Sequence, residues 1–596
     1  MNETVLGVER SLNQRRWVWR RGEDRIGLGI AQRLGLPEIV GRLLAARGVD
    51  IEGAPHFLDP TLRALLPDPS ALVDMDVAAA RIADAVQRGE TIAVFGDYDV
   101  DGACSGALMF SLLRELGAPV LHYVPDRMAE GYGPNAPALR ALAQRGASLV
   151  ICVDCGTAAA DVFADVLGLM DVVVLDHHKA DGLTPAIVAT VNPNRLDDLS
   201  GMGSLCAAAI AFLTAVAVVR ELRRRGVFAN ATGHIGRKEP DLLSLLDLVA
   251  LATVCDVMPL TGLNRALVSQ GLKVMARRAR LGVAALIDAA LIKDKPSAFT
   301  LGFTLGPRIN AAGRISEADL GLRLLVTQDP LEASSLAATL DAVNRQRQEV
   351  EAGILEAALR SAEDQVKAGH PVVLVSGAQW HPGVVGIVAG RIKERFNRPA
   401  CVAAVADGIA KGSGRSVLGL DMGAVVIAAR QNGILTTGGG HAMAAGFSLP
   451  AARLTDFHAF LNDRLAAATH LPAAANLAVE ASLAVPGATL ELAQQVSRLA
   501  PFGNGNEEPI FVLQRARVLR ADRVGRDGAT IRTMIEGEGG GTRLKAMLFR
   551  AREGDLADML LGRSGTPLHV AGHLRAEEWN GTTSVGFIIS DAAVAS

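Results

Sequence analysis

Short apolar runs rich in β-branched residues recur between about residues 76 and 275, and stretches with helical patterning separate them. The apolar runs cover 91–95, 120–124, 149–153, 172–175 and 187–191, and helical stretches cover 103–116 and 137–145. Continuous apolar strands that alternate with helices are typical of a parallel sheet covered on both faces. The pattern therefore predicts an α/β domain over 76–330.

Four other regions make up the rest of the chain. Residues 331–367 are polar and have few helix breakers, which predicts a long connecting helix over 331–370. A second α/β domain is predicted over 371–472, beginning with a strand at 371–376. Over 473–596, alternating strands, a glycine turn at 539–541 and a hairpin signal at Asn580 and Gly581 predict an OB-like β-barrel. Residues 1–75 are predicted to form a helical N-terminal region.

Composition narrows the classes of protein. A chain of 596 residues is too long for one hydrophobic core, and 49% hydrophobic with 21% charged residues excludes a mostly disordered chain. The net charge of −3 carries no global signature of a nucleic-acid partner, so any DNA binding must use local basic patches. One such cluster, Arg15-Arg16-Trp17-Val18-Trp19-Arg20-Arg21, is interpreted as a solvated surface rather than a DNA contact.

Cysteine usage and hydropathy restrict the cellular compartment in which we expect the protein. Six cysteines do not make a disulfide framework, and the single CxxC pair, Cys152 and Cys155, is interpreted as packing rather than a zinc site. The first residues have no signal-peptide core, and the longest apolar run, 205–219, is shorter than a membrane span. We expect a buried helix there and a soluble, cytoplasmic protein that does not contact membranes.

Acidic residues and histidines follow several of the predicted strands directly. Because the carboxyl ends of parallel strands meet at one edge of a sheet, we expect these side chains to converge. Such a cluster is stable only around cations, and carboxylates with few imidazoles suit Mn²⁺ or Mg²⁺. The residues concerned are Asp97, Asp99 and Asp101 after the first strand, Asp154 after the third, Asp176, His177 and His178 after the fourth, and Asp256 at the end of an apolar stretch.

Other interpretations of these acids are weaker. A single aspartate after a strand is often only a helix cap, but three such coincidences on separate strands favour a metal site. An EF-hand needs a glutamate where Leu108 stands. The first strand is not followed by GxGxxG, and the chain contains no GxxxxGK[ST], which argues against dinucleotide and P-loop chemistry.

At these residues the chain resembles the DHH phosphoesterases and, more narrowly, the RecJ family of single-strand-specific 5′→3′ exonucleases. The resemblance covers nearly the whole chain and rests on an ordered series of motifs. They are GDYDVDGA (96–103), EGYG (130–133), DCG (154–156), DHH (176–178), LDLVALATVCDVMPL (246–260), LGPRINAAGRI (305–315), WHPGVVGIVAGRIKERF (380–396), KGSGRS (411–416), GGGHAMAAG (438–446) and PFGNGNEEP (501–509).

The resemblance implies a parallel-sheet DHH catalytic domain, a DHH-associated substrate-binding domain and an OB-like nucleic-acid-binding domain. It implies that Asp154, His177 and His178 are catalytic and that two divalent ions, Mn²⁺ or Mg²⁺, are bound. The implied ligands are Asp99, Asp101, Asp154, His177 and Asp256, with Asp97 and Asp176 as supports and His178 at the scissile phosphate. Several relatives have asparagine where Cys155 stands, which affects one contact near the ligand Asp154.

The resemblance also implies a substrate and partners. Arg308, Arg314, Ser413 and Arg415 would hold the 5′ terminus of single-stranded DNA, and His441 would hold the backbone. Two-metal hydrolysis would release 5′-mononucleotides during recombination and repair. Single-stranded-DNA-binding protein and a RecQ-like helicase are implied partners, and a monomer is expected.

Two alternatives stay open at this point. The chain is a DHH-type phosphodiesterase for short oligonucleotides or cyclic dinucleotides, although the N-terminal region and the barrel argue against so small a substrate. The other alternative is a non-catalytic DNA-binding relative, which is disfavoured because every implied ligand position is filled.

Overall fold

The computed structural model describes residues 3–127, 129–179, 182, 184–228, 237–471, 475–525, 528–551, 553–562, 565–579 and 581–595. The chain divides into two compact units. The first unit contains residues 55–347 and 501–507, and the second contains residues 1–54, 348–500 and 508–596. The predicted boundary between 472 and 473 falls outside the described residues, and the other predicted domain limits stay predictions. In the described part of the chain, none of the helices has the length and apolar character needed to cross a bilayer.

The first unit is built on a parallel sheet, as the sequence pattern predicts. Its described strands lie in the order Val120–Tyr123, Thr91–Gly96, Ala147–Val153, Asp171–Leu175 and Ala189–Val191. Each predicted strand is present, and the ends differ from the prediction by one or two residues. The register places Gly96 beside Val153, and Val153 beside Leu175, so the ends of these three strands are level.

Helices cover both faces of this sheet. Side chains alternate between the faces along a strand, so Ile92 and Val94 enter one apolar core while Ala93 and Phe95 enter the other. The predicted buried helix is present at Ala207–Arg224. The longer helices of this unit are Met75–Arg88, Val100–Glu115, Ala136–Gln144, Ala207–Arg224, Leu246–Cys255, Gly262–Met275, Leu281–Ala289, Gly306–Ile315 and Leu320–Val326. Shorter helices are Leu62–Leu65, Ala160–Ala164 and Ala298–Thr300, and a π-helical turn covers Leu301–Leu305.

The predicted connecting helix runs from Pro330 to Lys367, and the second unit contains an α/β sheet beyond it. The strands of this sheet lie in the order Thr437–His441, Ala444–Pro450, Ile409–Arg415, Ala400–Ala406 and Val373–Ala378. The last two are parallel and the other neighbours are antiparallel. The helices Val385–Phe396, Met422–Gln431 and Leu454–Arg464 complete this part of the unit.

The C-terminal barrel has the connectivity of an OB fold. The described strands Phe511–Val524, Thr530–Glu536, Arg543–Leu548, Thr582–Val594 and Leu568–Trp579 are neighbours in that order, and Leu568–Trp579 pairs again with Phe511–Val524 to close the barrel. The predicted hairpin lies between Leu568–Trp579 and Thr582–Val594, although Asn580 falls outside the described residues. The helices Leu490–Ser497 and Asp555–Leu561 and the short strands Leu477–Val479 and Ala481–Leu483 accompany the barrel.

The N-terminal basic-aromatic segment is not the solvated surface that we predicted. Its strand Trp17–Trp19 pairs in parallel with Leu477–Val479, and the Trp17 side chain is fully buried. The Trp17 indole N–H donates to a carboxylate oxygen of buried Asp591 at 3.0 Å. The segment is therefore structural, and the helices Asp24–Leu34, Glu38–Ala45 and Ala54–Leu58 follow it.

Candidate metal centre and anion-binding residues

The predicted convergence of acids occurs at the carboxyl edge of the parallel sheet. Asp97, Asp154 and Asp176 each follow the last residue of a strand, and those strands are neighbours. Asp256 reaches the same place from the C-cap of the helix Leu246–Cys255. A carboxylate at the negative end of a helix dipole is unfavourable unless a cation compensates it.

His177 lies at the centre of these acids. Its Nε2 atom is 3.3 Å from Asp154 Oδ1, 3.5 Å from Asp256 Oδ2 and 3.8 Å from Asp101 Oδ2. Burial, followed by the charge of His178, lowers the pKa of His177 to about 4. A neutral imidazole is the form that binds metal ions, so the environment favours a ligand role for His177.

Three overlapping groups of side chains have potential metal ligands within 4.8 Å of one another. The Asp154 carboxylate connects two of them, and His177 connects two. The groups are Asp154 with His177 and His178, Asp101 with His177 and Asp256, and Asp97 with Asp99 and Asp154. We name the residues Asp97, Asp99, Asp101, Asp154, Asp256 and His177 the acidic edge.

The acidic edge fits divalent cations because several of its buried carboxylate oxygens have no hydrogen-bond donor among the described residues. Asp97 Oδ1, Asp154 Oδ1 and Asp256 Oδ2 are buried and accept no hydrogen bond from the described residues. Burial first, and then neighbouring carboxylates, raise the pKa of Asp97 and Asp256 to about 8 and that of Asp154 well above its usual range. Without cations these groups would retain protons at neutral pH, and bound cations would allow them to ionise.

Asp154 has a left-handed backbone conformation, with φ of 60°. Aspartate and asparagine tolerate this region better than most other residues that have a Cβ. The strand therefore ends in a turn that turns the Asp154 carboxylate inward, where the residue is 2% exposed. A residue in this conformation at a cluster of ligands is typical of a functional site.

Asp99 and Asp101 each have a structural role as well as a place in the acidic edge. Asp99 caps the helix Val100–Glu115, and its Oδ1 accepts from the N–H groups of Asp101 and Gly102. Asp101 is 1% exposed, and its two oxygens accept from the N–H groups of Ala207 and Ala208 at 2.6 and 2.8 Å. Helix capping and a ligand role are compatible because each carboxylate oxygen has two lone pairs.

Asp176 supports the loop that carries both histidines. Its oxygens accept from the backbone N–H groups of Thr157, His177 and His178. His178 Nδ1 lies 2.8 Å from Asp176 Oδ1. Burial opposes protonation of His178, but the hydrogen bond and charge of Asp176 outweigh it and raise the pKa of His178 to about 9. This pKa favours the cationic form of His178 at neutral pH, and the hydrogen bond to Asp176 orients the ring.

Sequence reasoning missed three residues that position this loop. Asn192 Nδ2 donates to His178 O, and Asn194 Nδ2 donates to His177 O at 2.6 Å. The Tyr132 hydroxyl donates to Asp154 O and lies 3.0 Å from His178 Nδ1. The sequence did contain one indication of Asn192: this residue directly follows the strand Ala189–Val191, just as the acids follow their strands.

Cys152 and Cys155 are packing residues, as predicted. Both are fully buried and not disulfide-bonded, and burial raises the pKa of each thiol. The candidate ligand groups found among the described residues contain no cysteine.

The structure treats the two predicted arginines of the first unit differently. Arg308 is bound to the Asp341 carboxylate and to Thr304 O, so its geometry favours a structural role. Arg314 follows Gly313, where a Cβ would lie 2.7 Å from Tyr98 O in the first acidic motif. Asn310 in the same helix accepts from Val100 N–H. Arg314 therefore belongs to a helix that packs against the loop of the acidic edge.

The other predicted substrate contacts lie together in the second unit. Arg415 donates to the Ser413 hydroxyl at 2.6 Å, and a Cβ on Gly386, at the start of the helix Val385–Phe396, would lie 3.0 Å from the Arg415 guanidinium. His441 pairs with Ala444, which pairs with Arg415, so the three residues lie on one face of the sheet. We name Ser413, Arg415 and the start of this helix the cationic corner.

Three family models match the chain. The DHH family N-terminal domain matches residues 91–253, the DHHA1 domain matches 369–467, and the RecJ OB domain matches 479–591. Together they account for the parallel sheet, the second α/β sheet and the barrel.

Curated relatives match over most of their length. The single-stranded-DNA-specific exonuclease RecJ of Dickeya dadantii is 37% identical over 93% of this chain and 96% of the relative. The RecJ of Salmonella typhimurium is 35% identical over 97% of this chain and 99% of the relative. The RecJ of Bacillus subtilis is 33% identical over 97% of this chain and 71% of the relative.

Solved structures agree with this. The crystal structure of RecJ in complex with Mn²⁺ from Thermus thermophilus has a TM-score of 0.77 at 29% identity, covering 95% of this chain and 78% of that one. The corresponding Mg²⁺ complex has a TM-score of 0.71 at 29% identity, covering 96% and 76%.

Proposed function

Since the chain belongs to the RecJ family of single-stranded-DNA-specific exonucleases, we propose that the acidic edge is the centre of a metal-dependent exonuclease acting on single-stranded DNA. The observation that carries this proposal is the set of three buried carboxylate oxygens that accept no hydrogen bond from the described residues. Two of them, Asp154 Oδ1 and Asp256 Oδ2, lie 3.3 and 3.5 Å from His177 Nε2. Crystal structures of the Thermus thermophilus relative contain Mn²⁺ or Mg²⁺, the ions that this donor set suits.

Asp99, Asp101, Asp154, His177 and Asp256 would hold the metal ions. The geometry adds Asp97, predicted only as a support, because it belongs to a candidate ligand group and its Oδ1 accepts no hydrogen bond from the described residues. Asp176 stays a support, since its oxygens are occupied by backbone donors. When bound, divalent ions stabilise the negative charge that develops at the scissile phosphate.

His178 would bind the scissile phosphate as a cation. Its Nδ1 atom is directed to Asp176, and its Nε2 atom, which lies 3.5 Å from the Tyr132 hydroxyl, would contact a phosphate oxygen. The side chain is 39% exposed, so a substrate can reach it. Tyr132 and Asn192 would act as positioning residues, because one contacts the ring and the other holds the His178 carbonyl.

The cationic corner would bind the 5′-terminal phosphate, which would give the enzyme its 5′→3′ polarity and 5′-mononucleotide products. A guanidinium, a hydroxyl and the positive end of a helix dipole are suited to an anion. His441 lies on the same face of the sheet and would contact the next part of the backbone. A role of Arg314 at the substrate belongs to the same proposal.

Other biological features stay proposals. Single-stranded-DNA-binding protein and a RecQ-like helicase as partners, a monomeric state, and action in the cytoplasm during recombination and repair are implied by the family. Their tests are co-purification and light scattering on the full chain.

Digestion of end-labelled DNA tests the proposed function. Single-stranded DNA labelled at the 5′ end should lose its label as mononucleotide at once, while 3′-labelled strands shorten progressively. Duplex DNA should resist, and EDTA should stop the reaction until Mn²⁺ or Mg²⁺ is added. Equal digestion of single-stranded and duplex DNA, or activity without divalent ions, would contradict the proposal.

A further inference from the structure

Two phenylalanines in the first unit form an exposed aromatic surface. Phe299 and Phe303 are 61% and 69% exposed, and their rings stack with centroids 4.9 Å apart and an angle of 23° between the planes. Large apolar side chains scattered singly on a surface are ordinary, but two exposed rings held in contact form a continuous apolar face. We name these two rings the aromatic platform.

The backbone beneath the platform is firmly anchored. Leu301 and Leu305 are fully buried and alternate with the exposed rings along the chain. Phe299 lies in the short helix Ala298–Thr300, and Phe303 lies in the π-helical turn Leu301–Leu305. A π-helical turn is rare and occurs frequently at functional sites. The short helix and the turn that follows it therefore present Phe299 and Phe303 from a buried base.

The same turn packs against the helix that delivers Asp256 to the acidic edge. A Cβ on Gly302 would lie 3.3 Å from the Val254 side chain, and one on Gly306 would collide with the Cys255 sulfur. Asp256 is the next residue, at the C-cap of that helix. The platform is therefore fixed to the last turn before a residue of the acidic edge, within one compact unit.

The chemistry of the platform restricts what it can bind. Phenylalanine rings have no hydrogen-bonding group, so they cannot read the edge of a base, but they stack on the face of any base. A surface of this kind is sequence-neutral and selects for unpaired bases, because paired bases already stack on their neighbours. Those are the properties that an exonuclease for single strands requires.

We propose that Phe299 and Phe303 form a base-stacking platform that holds unpaired nucleotides of the DNA strand next to the metal centre. This inference rests on the proposed function and adds to it two residues that determine affinity for single strands. The bases stack on the platform, while the sugar-phosphate backbone follows the acidic edge and its cations.

The test measures binding of a 20-nucleotide strand and of the same strand with abasic sites near its 5′ end. All proteins carry Asp154→Asn, so that the strand is not digested, and fluorescence anisotropy gives the Kd. Phe303→Ala and Phe299→Ala should each weaken binding of the normal strand about tenfold. The abasic strand should bind with the same Kd to the platform variants and to the protein that carries Asp154→Asn alone, which we name the parent. Moving the abasic site along the strand should identify the nucleotide that stacks.

Three further variants make the result specific. Phe303→Trp should retain affinity, since it keeps a ring, whereas Phe303→Leu should lose nearly as much as Phe303→Ala. Leu196→Ala is the matched control, because Leu196 is 84% exposed in the same unit and has no part in the proposal. Its Kd should equal that of the parent. The melting temperature of each variant should equal that of the Asp154→Asn protein from which it is made, since the side chains of Phe299, Phe303 and Leu196 are exposed.

Several outcomes would overturn the platform. Equal losses on normal and abasic strands would show that the rings do not contact bases. Full affinity of Phe303→Leu, or dissociation of an oligomer by Phe303→Ala, would show an apolar protein contact instead. In parallel, the chain with Asp154 restored is assayed for metal-dependent digestion. Failure there rejects the proposed function, whereas digestion together with unchanged binding by the alanine variants rejects only the platform.

Discussion

The acidic edge and the cationic corner are opposite in chemical character. The acidic edge gathers carboxylates, and three of their buried oxygens, on Asp97, Asp154 and Asp256, accept no hydrogen bond from the described residues, so it requires cations. The cationic corner gathers a guanidinium, a hydroxyl and a helix start, so it suits an anion. Each region belongs to a different compact unit, and the charged side chains that define each region have one sign. The comparison teaches that a cluster of side chains with one sign of charge indicates the charge of the ligand that would compensate it.

The strongest test of this comparison removes one charge from the acidic edge. Asp154→Asn should reduce nucleotide release in Mn²⁺ about a thousandfold, because metal ions supply several kcal/mol to such reactions. Asparagine also tolerates the φ of 60°, so the melting temperature measured in EDTA should not fall. Asp161→Asn, an exposed acid on the helix Ala160–Ala164, is the matched control and should keep full activity. Comparable activity of the two variants would remove Asp154 from the site.

A second test addresses the cationic corner. Arg415→Gln should raise the KM for 5′-phosphorylated strands about ten- to a hundredfold, because a charged hydrogen bond to the terminal phosphate is lost. The kcat should change little. Strands with a 5′-hydroxyl provide the control, since wild type and variant should treat them alike. An equal loss on both strands would show that Arg415 does not bind the terminal phosphate.

A third test concerns positioning within the acidic edge. Asn194→Ala removes the hydrogen bonds to His177 O and Gly203 O, so His177 should be less well oriented. The Mn²⁺ concentration that gives half-maximal activity should rise about tenfold, with near-normal activity at saturating Mn²⁺. A reduced maximal rate with an unchanged metal requirement would instead indicate contact with the substrate.

The smallest expected effect is on stability. The pKa of Asp101 is raised by burial and then by Asp99 to about 7, and the pKa values of Asp97 and Asp256 are about 8, against an ordinary value of 3.8. The folded protein then holds protons that the unfolded chain has lost, so stability in EDTA should fall as pH rises from about 4 to 8.

Calorimetry checks this directly. In EDTA the melting temperature should drop by several degrees between pH 5 and pH 8, and Mn²⁺ should abolish most of that drop because it replaces the protons. Asp97→Asn should reduce the drop in EDTA. A melting temperature that is independent of pH in EDTA would contradict the electrostatic description of the acidic edge.

Sequence patterns predicted the sheet and the convergence of acids because both depend on local order. Residues 172–175 of the strand Asp171–Leu175 are a continuous apolar run, and the residues after the strand must reach the sheet edge. Asp256 was also found, since a charge that ends a buried helix requires an explanation. In these cases the structural feature is determined by residues that lie close in sequence to the pattern that predicts it.

Other features depended on partners that are distant in sequence. Trp17 is buried because its strand pairs with residues 477–479 and its indole reaches Asp591. Asn194 and Tyr132 position the histidine loop through side-chain hydrogen bonds that local patterns do not specify. Arg308 matched a substrate-contact motif, but only the position of Asp341 shows that its guanidinium is already occupied.

Asp101 has a consequence for how this chain can lose its activity in evolution. Its carboxylate holds the first N–H groups of the helix Ala207–Arg224, which is buried along most of its length. A descendant that abandons catalysis can replace Asp256 and remain folded, whereas replacing Asp101 removes the cap of a core helix. We expect inactive but stable descendants to keep this aspartate long after its neighbours have changed, as a remnant of the ancestral enzyme.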